Sequence, residues 1–302
     1  MGSKKEDLNR RKSKLRLFWS IVVLMSQNLD DPPGRFIWYE LATTDVASAK
    51  AFYADVMGWR IRDMTIPGTN YTVFTMGEIP VSGLMHLPEE ARQNGARPRW
   101  LGFVGVKDVD AVIDRIKGLG GDVLVSPRNV FAVSRFAVVA DPQSATFALI
   151  TAISGDERQT EASAPGRVGW HELLAADREK AFSFYAMAFG WQRAAATKGR
   201  MGTYQMFSVD GETIGGIVAK PKTVSVPSWV YYFNVDDIDA AVKRVATAGG
   251  RVAEGPIEVP SGSWVVHCTD PQNAMFALVG KRDYKAIIHF GPGKARTAFV
   301  SG

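Results

Sequence analysis

From residue 36 onward the spacing of apolar positions changes period at regular intervals. Residues 36–42 alternate apolar and polar as a half-buried strand does. Asp45 then suits the N-cap of a helix whose apolar face is Ala49, Phe52, Tyr53 and Val56, and Gly58 ends it. Three short strands are predicted at about 60–66, 71–76 and 81–86. The rhythm then restarts. Leu101–Val106 reads as a strand, Asp108 opens a helix with Val112, Ile113 and Ile116 inward, and Gly120-Gly121 stops it. Strands near 122–126, 133–139 and 146–151 follow, with Asp141-Pro142 as a turn before the last. The pattern is βαβββ, twice.

The whole pattern occurs again further along the chain. Residues 35–59, RFIWYELATTDVASAKAFYADVMGW, align without a gap on residues 167–191, RVGWHELLAADREKAFSFYAMAFGW. Trp38 matches Trp170, Glu40 matches Glu172, Asp45 matches Asp177, and Phe52-Tyr53 matches Phe184-Tyr185, each 132 positions apart. Downstream, Tyr71 pairs with Tyr204, Gly83 with Gly216, Trp100 with Trp229, and Asp141-Pro142-Gln143 with Asp270-Pro271-Gln272. One domain of about 115 residues has been duplicated. The predicted fold class is α+β: two tandem domains, 35–152 and 167–280, each of two βαβββ units. Residues 153–166, polar and aperiodic, form the linker. Residues 1–34 are expected to be a basic, disordered extension and residues 281–302 a tail.

Charge changes the picture little. The formal net charge is +5, but residues 1–20 hold seven basic side chains against two acidic, and residues 281–302 hold five against one. The stretch 21–280 is therefore net −4, which argues against a nucleic-acid face on the folded part. The single cysteine, Cys268, excludes an intrachain disulfide and a Cys-rich zinc site, and fits a reducing, cytoplasmic setting. The apolar run Leu15–Met25 is shorter than the roughly 20 residues a membrane helix needs. Membrane attachment is disfavoured, Met25 is an alternative start, and a homodimer is left open.

Paired βαβββ units with a helix-opening Asp, then Phe-Tyr, then Gly-Trp, and Asp-Pro-Gln before the last strand resemble the vicinal oxygen chelate superfamily. That family includes glyoxalase I, extradiol dioxygenases and bleomycin-resistance proteins. The twice-used Trp-x-Glu-Leu opening is similar to its tandem glyoxalase-like members. The resemblance covers 36–151 and 168–280 and implies an eight-stranded open cup per domain with helices outside. Members that use a metal hold it in the cup and let it chelate substrate oxygens.

The resemblance places metal ligands on the first, fifth and eighth strands of each domain. Those positions here are Trp38, Leu101 and Ala148 in the first copy, and Trp170, Val230 and Ala277 in the second. None supplies a donor that a first-row ion accepts. No metal site and no cofactor are therefore assigned.

The remaining candidates are weighed on strand alternation. Glu40 and Glu172 lie two residues after Trp38 and Trp170, so both carboxylates face the cup. Each reads as a general base, a polar anchor, a structural partner in the wall, or a solvated group at the mouth. Trp38 and Trp170 either stack on a ligand or fill space left by an ion; Trp100 and Trp229 read as core. Tyr71 and Tyr204 are candidate pocket residues, with strand packing the alternative. His267 stands where the first copy has Val138, and enters the pocket or is structural. Arg135, replaced by Trp264 in the second copy, is a carboxylate clamp or a surface charge. His171 should point away from the cup, to the surface or a helix. The expected function is binding of a small aromatic or carbonyl molecule in metal-free cups. The alternatives are a metal-independent lyase-, isomerase- or hydroxylase-type enzyme with Glu40 or Glu172 as base, and a degenerate scaffold for protein partners.

Overall fold

Aspartates set where the helices begin. Asp45 accepts the Ser48 amide at 3.0 Å, and Asp108, Asp177 and Asp237 each accept two amides of the turn that follows. Each bond satisfies a helix-end N–H that lacks an internal partner. Gly58 and Gly190 close their helices in the left-handed region, at φ 70° and 76°.

The computed structural model describes residues 34–66, 69–130, 134–151, 162–199 and 202–282. The first domain comprises strands β1 (Phe36–Thr43), β2 (Arg60–Ile66), β3 (Thr69–Met76), β4 (Ile79–His86), β5 (Arg99–Gly105), β6 (Asp122–Val130), β7 (Ser134–Ala140) and β8 (Thr146–Thr151). Its helices are α1 (Val46–Met57), α2 (Glu89–Gln93) and α3 (Val109–Gly118). The second comprises β9 (Val168–Ala175), β10 (Gln192–Gly199), β11 (Gly202–Val209), β12 (Glu212–Ala219), β13 (Ser228–Asp237), β14 (Arg251–Glu258), β15 (Trp264–Thr269) and β16 (Met275–Lys281), with α4 (Arg178–Phe189) and α5 (Ile238–Thr247). The α+β architecture is the one expected, with β3, β4 and β6 longer than predicted and β5 beginning two residues earlier. The short α2 was not foreseen, because its polar sequence buries no residue. Residues 1–33, 152–161 and 283–302, which hold most of the expected extension, linker and tail, lie outside the described residues. No helix among the described residues is long and apolar enough to cross a membrane.

Each domain forms one mixed eight-stranded sheet, in the order β2-β3-β4-β1-β5-β8-β7-β6 and its repeat β10-β11-β12-β9-β13-β16-β15-β14. The two βαβββ units of a domain meet where β1 runs antiparallel to β5, with Trp38 opposite Phe103 and Glu40 opposite Leu101. In the second domain Trp170 stands opposite Tyr232 and Glu172 opposite Val230. Alternation gives each sheet two faces. One joins the helices in a single apolar core that runs through both domains, from Leu41, Phe52 and Trp100 to Leu173, Phe207 and Trp229. The other carries a smaller cluster in each domain, around Trp38 and Ala148 or around Tyr232 and Ala277. These outer faces are the cups.

The repeated motifs hold the two domains together. Tyr53 on α1 donates to Asp270 of the second domain (3.2 Å) and accepts from Trp100 Nε1 (2.8 Å). Tyr185 on α4 donates to Asp141 of the first domain (3.1 Å) and accepts from Trp229 Nε1 (3.0 Å). Trp59 Nε1 reaches Gly166 O and Trp191 Nε1 reaches Gly34 O. Gln143 bonds the backbone of Asp177, and Gln272 bonds Ser48. Both tyrosines are fully buried, so an unpaired hydroxyl there would cost on the order of 1–3 kcal/mol.

Equivalent positions of the two copies also touch each other across a pseudo-twofold axis. Tyr39 meets its counterpart His171, the hydroxyl donating to Nε2 at 2.5 Å, and Gly102 N donates to the hydroxyl of its counterpart Tyr231 at 2.8 Å. His171 Nδ1 donates to Ile214 O (2.7 Å), its ring stacks on Phe36 with centroids 4.7 Å apart, and burial pushes its pKa down to about 4. His171 does point away from the cup. It is neither a surface nor a helix-packing residue, however. It lies in the seam between domains, because the back of β9 faces the other sheet there.

Candidate functional site

The first cup is built on three adjacent strands. Trp38 and Glu40 project from β1, and Tyr71 comes across from β3 over β4. The crossing requires Gly83, which sits opposite Glu40 on β4. A Cβ there would fall 1.8 Å from the Tyr71 hydroxyl, so only glycine lets the ring lie against the backbone. Trp38 Nε1 donates to that hydroxyl at 3.3 Å, and the hydroxyl is hydrogen-bonded to Glu40. Loss of hydration raises the Glu40 carboxyl to about 7, against the opposing pull of the Tyr71 bond. Tyr71 itself is driven well above the ordinary phenol range by burial and by the Glu40 charge, so it stays a neutral donor.

The second cup repeats this relay and enlarges it. Trp170 Nε1 donates to the Tyr204 hydroxyl at 2.8 Å, and Tyr204 is hydrogen-bonded to Glu172. Gly216 makes the room, since a Cβ would lie 2.0 Å from the Tyr204 ring. Where the first cup has Phe103 and Val138, the second has Tyr232 and His267. The Tyr232 hydroxyl lies 2.7 Å from His267 Nε2, and that nitrogen lies 3.4 Å from Glu172 Oε1. Burial alone would depress the His267 imidazole. The nearby Glu172 carboxylate, with Glu254 adding, outweighs it and leaves the pKa raised. Glu172 is 5% exposed, while His267, Trp170 and Tyr204 keep partial contact with solvent.

Seven of the residues singled out in the sequence therefore converge on the cups: Trp38, Glu40 and Tyr71 in one, and Trp170, Glu172, Tyr204 and His267 in the other. Trp100 and Trp229 are core, as expected. Arg135 is not a cup residue. Its neighbours Phe136 and Val138 take the cup face, so alternation turns Arg135 to the helix side, where it grips Asp110 of α3 at 2.6 and 2.8 Å. In the second domain Arg282 takes that role on Asp239 and stacks over Trp264, 4.0 Å from the ring centre. Tyr232 escaped the sequence reading, and Gly83 and Gly216 entered it only as a matched pair of the repeat. The signal for Tyr232 was present as a paired difference between copies, since Phe103 and Val138 change together.

The positions at which the resemblance puts metal ligands carry no donors here. Ala148 and Ala277 are fully buried at the floors of the cups, Trp38 and Trp170 are engaged by the tyrosines, and Leu101 and Val230 are aliphatic. Among the described residues no three His, Cys, Asp or Glu side chains are placed to hold a metal ion. The residues present do not fit the family's ion.

Comparison with known proteins agrees with this architecture. The family model described as Glyoxalase/Bleomycin resistance protein/Dioxygenase superfamily matches residues 35–149 and 167–278. The "Putative glyoxylase CFP32" of Mycobacterium tuberculosis is 30% identical over 244 residues, covering 80% of this chain and 93% of that protein. The "Anthracycline biosynthesis protein DauV" of Streptomyces sp. (strain C5) is 32% identical over 265 residues, covering 83% of this chain and 94% of that protein. Among solved structures, a Mn(II)-bound glyoxalase from Novosphingobium aromaticivorans superposes with a TM-score of 0.58 at 14% identity, over 83% of each chain. A variant of homoprotocatechuate 2,3-dioxygenase from B.fuscum superposes with a TM-score of 0.59 at 17% identity, over 84% of this chain and 72% of that one. With the family model matching both halves and relatives of this identity along most of its length, the chain belongs to the glyoxalase/bleomycin resistance protein/dioxygenase superfamily, as a tandem two-domain member.

Proposed function

We propose that this protein binds a small, flat aromatic or carbonyl compound in cups that have lost the superfamily's metal. The observation that carries this reading is the double replacement. In both domains indole, aliphatic and methyl side chains stand at the ligand positions, while a Trp–Tyr–Glu relay has been kept in both. Such a cup offers apolar walls, an aromatic face and a few fixed polar atoms, which is the composition of a small-molecule site. The relatives named for anthracycline biosynthesis are in keeping with a polycyclic aromatic ligand.

Two measurements test it. Elemental analysis of the purified protein should find no stoichiometric divalent metal. Thermal-shift and tryptophan-fluorescence titrations with hydroxyanthraquinones and with 2-oxo acids should show saturable stabilisation by the aromatic set. One equivalent of Zn, Ni, Mn or Fe per domain would overturn the reading.

A second reading makes the protein a metal-independent enzyme that removes a proton next to a carbonyl. Its support is the Glu40 carboxyl, held at about 7, where a general base is most effective at neutral pH. Substituting Glu40→Gln and Glu172→Gln separates the two readings. Loss of turnover with affinity retained supports catalysis; loss of affinity alone supports binding.

A further inference from the structure

The two cups differ by a coordinated pair of substitutions. Phe103 and Val138 of the first become Tyr232 and His267 of the second, and the two new side chains bond each other beside Glu172. We propose that the second cup binds its ligand through an anionic oxygen, a phenolate or enolate, held by the imidazolium of His267, with Glu172 and Tyr232 as its positioning residues. The inference rests on the metal-free cup reading and gives one cup a ligand chemistry that the other lacks.

Glu172 Oε1 is buried and has no aligned hydrogen-bond donor. An unpaired buried carboxylate oxygen is costly. If the imidazole is neutral at Nε2, Tyr232 must donate to it, and Oε1 stays orphaned. If the imidazole is protonated, Nε2–H donates to the Tyr232 oxygen, and the Tyr232 hydroxyl turns to Glu172. The positive ring then also lies 3.4 Å from Oε1. A proton on Nε2 serves these contacts in the neutral and the charged ring alike; the buried carboxylate 3.4 Å away favours the charged one. The titratable groups around it are Glu172 on β9, Tyr232 on β13, Glu254 on β14 opposite His267, and Tyr204 on β11 against Glu172. None is basic, and both tyrosines are held neutral by burial.

The free end of the ring is then the functional one. Nε2 carries both inward contacts, and Nδ1 has no partner among the described residues. The side chain is 25% exposed and shares its strand face with Val265, a member of the cup cluster. An Nδ1–H on a positive ring, set at an apolar cup beside Tyr232, favours an oxygen that bears negative charge. Binding requires only that the ligand's acidic O–H release its proton to solvent; no bond to carbon is made or broken.

The test uses the full-length protein. Nitrogen-edited NMR of the ligand-free chain follows its histidines, with His267→Gln giving the assignment. His267 should titrate above the ordinary histidine value of about 6.5 and fall by about tenfold in proton affinity in Glu172→Gln. A midpoint at or below the ordinary value overturns the inference before any ligand is added. The second arm uses alizarin, whose phenolate is red-shifted in the visible. One equivalent per chain should ionise at a proton concentration about tenfold higher than free dye, and His267→Gln should abolish that shift. Dye that binds without the shift, or keeps it in His267→Gln, overturns this inference and leaves cup binding intact. Stoichiometric metal in either cup overturns the underlying reading, and this inference with it.

Discussion

Replacing Glu40 by glutamine should stabilise the protein in a pH-dependent way. The glutamine keeps an oxygen for the Tyr71 hydroxyl and removes only the ionisable group. In the native chain burial holds the Glu40 carboxyl at about 7, against an ordinary value of 4.5. Below 4.5 the carboxyl is protonated in both folded and unfolded chains and contributes nothing to the pH dependence. Between 4.5 and about 7 the unfolded chain ionises and the folded one resists, so stability falls as pH rises; above 7 the loss is complete. At about 1.36 kcal/mol per unit the full loss is about 3 kcal/mol, less the share relieved by residual solvent contact. Urea unfolding of native and Glu40→Gln proteins from about pH 4.5 to about pH 8.5 measures it. The stability difference should grow by about 2–3 kcal/mol in favour of the variant, with its midpoint near the carboxyl's own titration. A difference constant across that range would refute the claim that the first cup strips water from this carboxyl.

Other expectations follow from the relay and from the seam. Tyr71→Phe removes the bond that lowers the Glu40 pKa, so carbonyl NMR should find Glu40 titrating still higher; an unchanged or lower midpoint speaks against the relay. Gly216→Ala drives a Cβ into the Tyr204 ring, and should cost about 1–3 kcal/mol and weaken aromatic ligand binding in the second cup alone. Tyr185→Phe strips Trp229 Nε1 of its acceptor and Asp141 of a donor, for a loss of about 1–3 kcal/mol by chemical denaturation. Tyr53→Phe, its repeat equivalent, should lose a similar amount, and a change under about 0.5 kcal/mol in both would show that these hydroxyls do not hold the domains.

Much of the fold was legible because local rules and global architecture agree. Asp at the cap, Gly at the stop and period-two strands recur four times, and the tandem repeat confirmed each reading by its copy. The cup faces of Trp38 and Glu40 followed from alternation alone. What sequence could not reveal was partnership across strands. Tyr71 could be placed on a strand, but its bond to Glu40 depends on a glycine on the strand between them. His267 was weighed as a lone histidine because Tyr232, 35 positions earlier, was not seen as its neighbour. Of the two readings of Arg135, carboxylate clamp or surface charge, the parity of β7 favours the second, since it turns the side chain to Asp110 of α3 at the surface. The motifs that carried the family resemblance, Phe-Tyr, Gly-Trp and Asp-Pro-Gln, turn out to join one domain to the other. That explains why they speak to architecture and say little about chemistry.

The contacts of Tyr39 with His171 and of Gly102 with Tyr231 bear on how the two halves came to depend on each other. In a symmetric dimer of identical chains each such position would meet itself. Two glycines would leave a hole, and a residue with a Cβ at Gly102 would sit 2.6 Å from the phenol oxygen. Covalent tethering removed that demand, and the junction became a matched pair of unlike surfaces, each half a mould for its sibling and a poor fit to its own duplicate. The halves are thus no longer interchangeable, which leaves their two pockets free to drift toward different tasks within one chain.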